Sequence, residues 1–238
     1  MAETTTKSSS LGAAVVGGAV GAVLTAAVLV FATPQFFSRN IVRQGMLADP
    51  QILVEASDAL RDNQTAPLIA SSRAALETPF ASSWKGAEKP EVVLVEFYDY
   101  ACPYCKASNP HVDQLVRENP KLRVVYRELP ILGPNSVEAA RLSLAASKAG
   151  RFHQFHDALY AAGRPAPDTN AAAARIANIP PAPAEDAAIE AELKKNFSLA
   201  SQLGATGTPL FVVGDRVLSG AVGYDALKKA VDDAQKKS

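Results

Sequence analysis

Apolar positions follow a different rhythm in each part of the chain. Residues 11–32 contain no charged side chain. As one helix they would extend ~33 Å, enough to cross a bilayer. From Phe36 to Gln64 the pattern becomes helical. Phe37, Ile41, Val42 and Met46 share one side of a first helix. Ile52, Leu53, Ala56, Ala59 and Leu60 form the apolar stripe of a second, with Asp49 as its cap and Pro50 at its first position. Thr65–Thr78 reads as a third helix. Pro79–Pro90, with Ser82, Ser83 and Gly86, reads as a linker.

The rhythm changes again at Val92. Val92–Val95 is an apolar, β-branched run bounded by Pro90, the pattern of a buried strand, and a helix follows to about Arg117. Asn119-Pro120 stops it, and Leu122–Leu129 supplies a second strand. Helices are expected at Asn135–Ala149, Arg151–Ala162, Ala171–Ala177 and Ala184–Leu203, with a proline-containing loop over Arg164–Asn170. Pro209 then opens another β-branched run, where a proline must sit at the first residue or an edge. Gly214-Asp215 turns this run into Arg216-Val217-Leu218, and Tyr224–Gln235 closes the chain as a helix.

Composition narrows the function. With 48% hydrophobic residues the chain can build a core, and its formal net charge is +0 with no basic run, which argues against a nucleic-acid partner. Its 2 cysteines, Cys102 and Cys105, stand three positions apart directly after the first strand. That places the first sulfur at a helix N-terminus, where unpaired N–H groups and the macrodipole favour thiolate. Pro103 costs no hydrogen bond there and presets φ. The chemistry implied is thiol–disulfide exchange, with Cys102 as the reacting sulfur and Cys105 resolving the mixed disulfide. Zinc needs a second pair of ligands, which His111, His153 and His156 would have to supply from helical surroundings. A structural bridge over so short a loop removes little chain entropy. A Cu(I)-binding dithiol module in metal tolerance is the alternative of a different class, although the only methionines are Met1 and Met46. An inert adaptor would not need the cysteine pair.

The length of 11–32 favours an uncleaved transmembrane anchor over a signal sequence, although Val30-Phe31-Ala32 would pass as a cleavage site. Charge leaves the orientation open, with Lys7 on one side and Arg39 and Arg43 on the other. A dithiol oxidant belongs in an oxidising compartment, which puts the globular part outside the cytoplasm. The apolar stripes of 36–78 either pack on that part or pair with other copies in a homo-oligomer.

The strand, Cys102-Pro103-Tyr104-Cys105, the helix, and later Thr208-Pro209 before a hairpin and terminal helix resemble the thioredoxin superfamily. The long helical stretch between Cys102 and Pro209 resembles its DsbA-like branch. Ile41–Leu53 is similar to the oligomerising segment of the bacterial ScsC-like subgroup. The resemblance implies an α/β, thioredoxin-like fold with a helical insertion at about 135–203, inside a domain spanning 91–236. Before it come a polar N-terminus (1–10), the anchor or signal (11–32), an oligomerisation-like helical segment (36–78) and the linker (79–90). It further implies a cis Pro209 facing the cysteines, and substrate contacts from Thr208, Pro209, Pro103 and Tyr104. A buried Glu96 would accept the Cys105 proton. The implied function is a protein-disulfide oxidase or isomerase of the bacterial periplasm, with no cofactor or metal. It would act on unfolded or misoxidised proteins and be reoxidised or reduced by a membrane redox partner.

Overall fold

The computed structural model describes residues 33–180 and 185–237. The expected anchor or signal at 11–32 and the expected helix start at Ala184 lie outside them. No helix among the described residues is long and apolar enough to cross a membrane. The chain divides into two compact units, Met1–Ala59 and Leu60–Ser238.

In the first unit, α1 (Thr33–Ala48) is followed by the opening turns of α2 (Gln51–Glu77). Asp49 caps α2 as the sequence suggests, its Oδ1 accepting from the Gln51 N–H at 3.1 Å. The break expected before Thr65 is absent, because α2 runs on through Pro67. Proline removes one helical bond. Here Ile69 and Leu76 are buried beneath the same helix, and tertiary burial outweighs the local breaker.

The second unit is built on a 5-stranded sheet in the order β1-β3-β2-β4-β5, formed by β1 (Trp84–Gly86), β2 (Val92–Tyr98), β3 (Leu122–Glu128), β4 (Leu210–Val213) and β5 (Arg216–Ser219). β2 and β3 are parallel and the remaining pairs antiparallel. The other helices are α3 (Pro103–Glu118), α4 (Pro134–Lys148), α5 (Phe152–Ala162), α6 (Pro167–Ile176), α7 (Ala187–Gln202) and α8 (Gly223–Gln235). Four of them, α4 to α7, form the insertion between β3 and β4.

Central β2 is buried on both faces, which explains its near-continuous apolar run. Side chains alternate along it. Val92, Leu94 and Tyr98 join a core with both cysteines, Val112 and Leu115 of α3, and Phe152, Phe155 and Leu159 of α5. Val95 and Phe97 face the opposite core, with Ile69 and Leu76 of α2, Leu199 of α7 and Leu203 at its C-cap. Strand period therefore sends Glu96 to the cysteine side.

β1 lies inside the stretch expected as a linker. Ser82 and Ser83 are anchors here, each donating to Ser147, at 2.9 Å to its carbonyl and 2.8 Å to its Oγ. Gly86, at φ +99°, lets the strand close on β3, since a Cβ there would meet Leu122 O at 2.3 Å. α6 likewise starts inside the expected Arg164–Asn170 loop. Pro167 is its first residue, and the Ala166 N–H donates to Thr169 Oγ1 at 2.8 Å.

On the α2 side, Arg127 is fully buried. It donates to the Leu76 carbonyl at 2.9 Å and the Thr78 carbonyl at 2.8 Å. It also reaches Glu192 at 3.0 Å and Asn196 at 2.9 Å. One guanidinium thus satisfies the open carbonyl end of α2 and fastens it to α7.

Candidate active site

The site forms where β2 runs into α3. Cys102 is the N-cap of α3 in extended conformation (φ −81°, ψ 116°), with Pro103 in the first turn. Its N–H donates to the Asp99 carbonyl at 3.0 Å, and its carbonyl accepts from the Lys106 N–H at 3.2 Å. The turn is pinned by Asp99, buried at the end of β2. Asp99 Oδ1 accepts from the Ala101 N–H at 2.7 Å, while Oδ2 accepts from the N–H groups of Ile131 and Leu132 at 2.8 and 2.9 Å. One carboxylate thereby ties the cysteine turn to the loop after β3.

Opposite the turn, the Thr208–Pro209 peptide is cis. The Cys102 thiol donates to the Thr208 carbonyl at 3.2 Å. Both cysteines are free thiols, with 4% of Cys102 exposed and none of Cys105. Burial pushes the Cys105 thiol well up, and the Glu96 carboxylate adds to the shift. Pro103 and Tyr104 occupy the exposed outside of the turn, Tyr104 being 64% exposed.

Glu96 is 1% exposed, and neither of its carboxylate oxygens has a hydrogen-bond partner in the protein. Burial, helped by Asp113, raises its pKa from 4.5 to about 8. At neutral pH it is chiefly a neutral acid, on the same face of the sheet as Cys105.

The sequence reading missed a second buried acid, Glu128, raised to about 8 chiefly by burial. Tyr98 donates to it, and Tyr98 OH also bonds Tyr100 OH at 3.1 Å. Tyr100 OH meets Ser143 Oγ at 2.9 Å and His156 Nδ1 at 3.3 Å. Burial lowers His156 to about 3, so it stays neutral among these rings. His153 Nε2 contacts the Trp84 carbonyl at 2.8 Å, and the His111 ring lies 6.5 Å from that of Tyr224. No group of three or more His, Cys, Asp or Glu among the described residues could hold a metal ion. Asp99 also went unnoticed, although an Asp between a strand end and a turn is a local signal.

A dithiol at a helix start, facing a cis-proline loop across a mixed sheet, defines a thiol–disulfide oxidoreductase of the thioredoxin superfamily. A model of the DSBA-like thioredoxin domain matches residues 93–232, and the chain belongs to that family. Among solved structures it is 36% identical to a thioredoxin-like oxidoreductase from Silicibacter pomeroyi, with a TM-score of 0.63 over 68% of this chain and 96% of that one. It is 30% identical to Proteus mirabilis ScsC, with a TM-score of 0.67 over 87% and 99%. It is 32% identical to a periplasmic thioredoxin-like protein from Salmonella enterica serovar Typhimurium, with a TM-score of 0.64 over 69% and 95%. The chain is ScsC-like within its family. A stretch of 79 residues is also 35% identical to part of the Na(+)/H(+) antiporter NhaA 3 of Salinispora tropica, covering 32% of this chain but only 12% of that protein.

The buried acid has a consequence for stability. Unfolded, Glu96 titrates near its ordinary 4.5; folded, it holds its proton to about 8. Between those values the folded chain binds the extra proton, so stability falls as pH rises, by up to about 5 kcal/mol, and levels off above about 8. Glu128 acts in the same direction. Glu96→Gln should therefore roughly halve the downward slope of unfolding free energy against pH between about 6.5 and 8, above the range in which the lowered His156 opposes it, measured by urea denaturation. An unchanged slope would contradict the assignment of Glu96 as a buried neutral acid.

Proposed function

We propose that this protein forms or isomerises disulfides in extracytoplasmic proteins through Cys102 and Cys105. The observation that carries the reading is the Cys102 sulfur, held at the start of α3 against the Thr208 carbonyl, with Cys105 and Glu96 buried behind it. In the oxidising direction a substrate thiolate attacks Cys102 Sγ of the Cys102–Cys105 disulfide. The S–S bond breaks, and Cys105 leaves as a thiolate and takes a proton from the neutral Glu96. A second substrate thiolate then attacks the substrate sulfur of the mixed disulfide and expels Cys102 as thiolate. The substrate leaves oxidised and the two electrons stay on the cysteine pair. In the reverse direction Cys102 attacks, and the ionised fraction of Glu96, set by its pKa of about 8, accepts the Cys105 proton.

The Thr208 backbone pairs the substrate backbone in β-fashion, Pro209 lies beside it, and Pro103 and Tyr104 contact the substrate side chains. Support comes from their placement around Cys102 and from the exposure of Tyr104. The substrates are unfolded or misoxidised proteins, and a membrane redox partner resets the cysteine pair. The similarity to a periplasmic thioredoxin-like protein supports a periplasmic setting; the anchor proposed at 11–32 rests on the uncharged run of that sequence alone. Oxidised protein should convert a reduced, two-cysteine substrate protein stoichiometrically. Cys105→Ser should instead accumulate a mixed disulfide through Cys102, visible by mass spectrometry. Trapping through Cys105 in Cys102→Ser, with none in Cys105→Ser, would refute the roles given to the two sulfurs.

We further propose that the N-terminal helical segment joins copies of the chain. Ile41, Val42 and Leu47 of α1 and Ile52, Leu53 and Val54 of α2 are all exposed, an apolar series that favours a partner surface. The chain beginning at Phe36 should be larger than a monomer by light scattering at micromolar concentration. Asp at Ile41, Leu47 and Leu53 together should yield a monomer that still catalyses exchange. A monomer from the unsubstituted chain would remove the proposal.

A further inference from the structure

Beside Cys102 lies a cavity of about 230 Å³, lined also by Tyr100, Ala101, Pro103, Lys106, Gly163 and Arg164. Its two charged side chains come from separate elements, Lys106 from the first turn of α3 and Arg164 from the connection between α5 and α6. Both residues are exposed, and no acidic residue lines the cavity. Lys85, Lys121, Arg141, Lys148 and Arg216 each hold a carboxylate. Neither Lys106 nor Arg164 has an ion-pair partner among the described residues.

The overall formal charge of +0 makes this a local concentration of positive charge rather than a property of the whole surface. Two cations on the walls of one depression focus a positive potential there and favour an anion between them. An Arg fork matches the two oxygens of a carboxylate, and a Lys ammonium adds a point charge.

Resting on Cys102 as the attacked sulfur, we propose that this cavity is a specificity pocket for an acidic side chain beside the reacting cysteine of the substrate. The carboxylate of Asp or Glu sits between Lys106 and Arg164 while the substrate sulfur reaches Cys102 Sγ. The carboxylate is neither consumed nor protonated. The bonds that break and form are those of the exchange described above, and the oxidant is the Cys102–Cys105 disulfide.

The test uses the full chain, oxidised with oxidised glutathione, and three two-cysteine peptides that differ only in having Glu, Gln or Lys next to the first cysteine. Single-turnover oxidation rates are normalised to each peptide's reaction with the neutral 2-hydroxyethyl disulfide, which removes the effect of the neighbour on the peptide's own thiol. The Glu peptide should exceed the Gln peptide by about two- to fivefold for each cation, the range of an exposed ion pair. High salt should erase the preference. The ratio should fall to one in Lys106→Gln/Arg164→Gln and invert toward the Lys peptide in Lys106→Glu/Arg164→Glu. Loss of a cation that merely changes Cys102 reactivity would slow all three peptides alike. Equal normalised rates in the unsubstituted protein, or a Glu preference that survives both substitutions, would overturn the pocket. Failure to oxidise even the Gln peptide would instead overturn the proposed function.

Discussion

The structure is organised around an unfavourable act: a carboxylic acid is buried beside a dithiol with no polar partner in the protein. Burying an unpaired polar group costs on the order of 1–3 kcal/mol, and burying it ionised costs far more. Glu96 meets this constraint by keeping its proton to about pH 8. The same burial that penalises its charge also penalises a thiolate at Cys105. Acid and inner sulfur are therefore matched as groups that both prefer the protonated form. Cys102, at the helix start, donates instead to the Thr208 carbonyl.

The rest of the fold supports this pair. Strand alternation alone aims Glu96 at the cysteine side, and α3 closes over it with Val112 and Leu115. Asp99 fixes the cysteine turn by accepting from backbone N–H groups of two loops. On the opposite face, Arg127 gathers the end of α2 and the side chains of α7 into one hydrogen-bonded knot. The rings of Tyr98, Tyr100 and Tyr126 from the sheet and the cysteine turn, with Phe152 and Tyr160 of α5, form the aromatic wall in which His156 stays neutral. Around the turn, Tyr104, Lys106 and Arg164 are exposed.

Much of this was legible in the chain because local signals and tertiary packing agree there. The run Val92–Val95, the Cys-Pro-Tyr-Cys turn and the Thr208-Pro209 entry each carry a backbone requirement that only a few residue types meet. The resemblance to the DsbA-like branch implies a buried Glu96, and the strand period carries it to the cysteine side. Other features depend on distant partners. Pro67 reads as a breaker, but α2 continues because Ile69 and Leu76 are buried further along it. Ser82, Ser83 and Gly86 read as a linker, but their roles come from Ser147 and from the close approach of Leu122. Glu128 and Arg127, an acid and a base, adjoin in sequence and point to opposite faces of β3. Each becomes intelligible only once the helices above and below the sheet are in place.

The central claim is that Cys102 and Cys105 form a reactive exchange pair rather than a structural bridge. The reduction potential of this pair, measured by equilibration with glutathione, tests it most directly. The account predicts a value between about −120 and −230 mV, the range of proteins that donate or rearrange disulfides. A value toward about −300 mV, where structural disulfides lie, would contradict it.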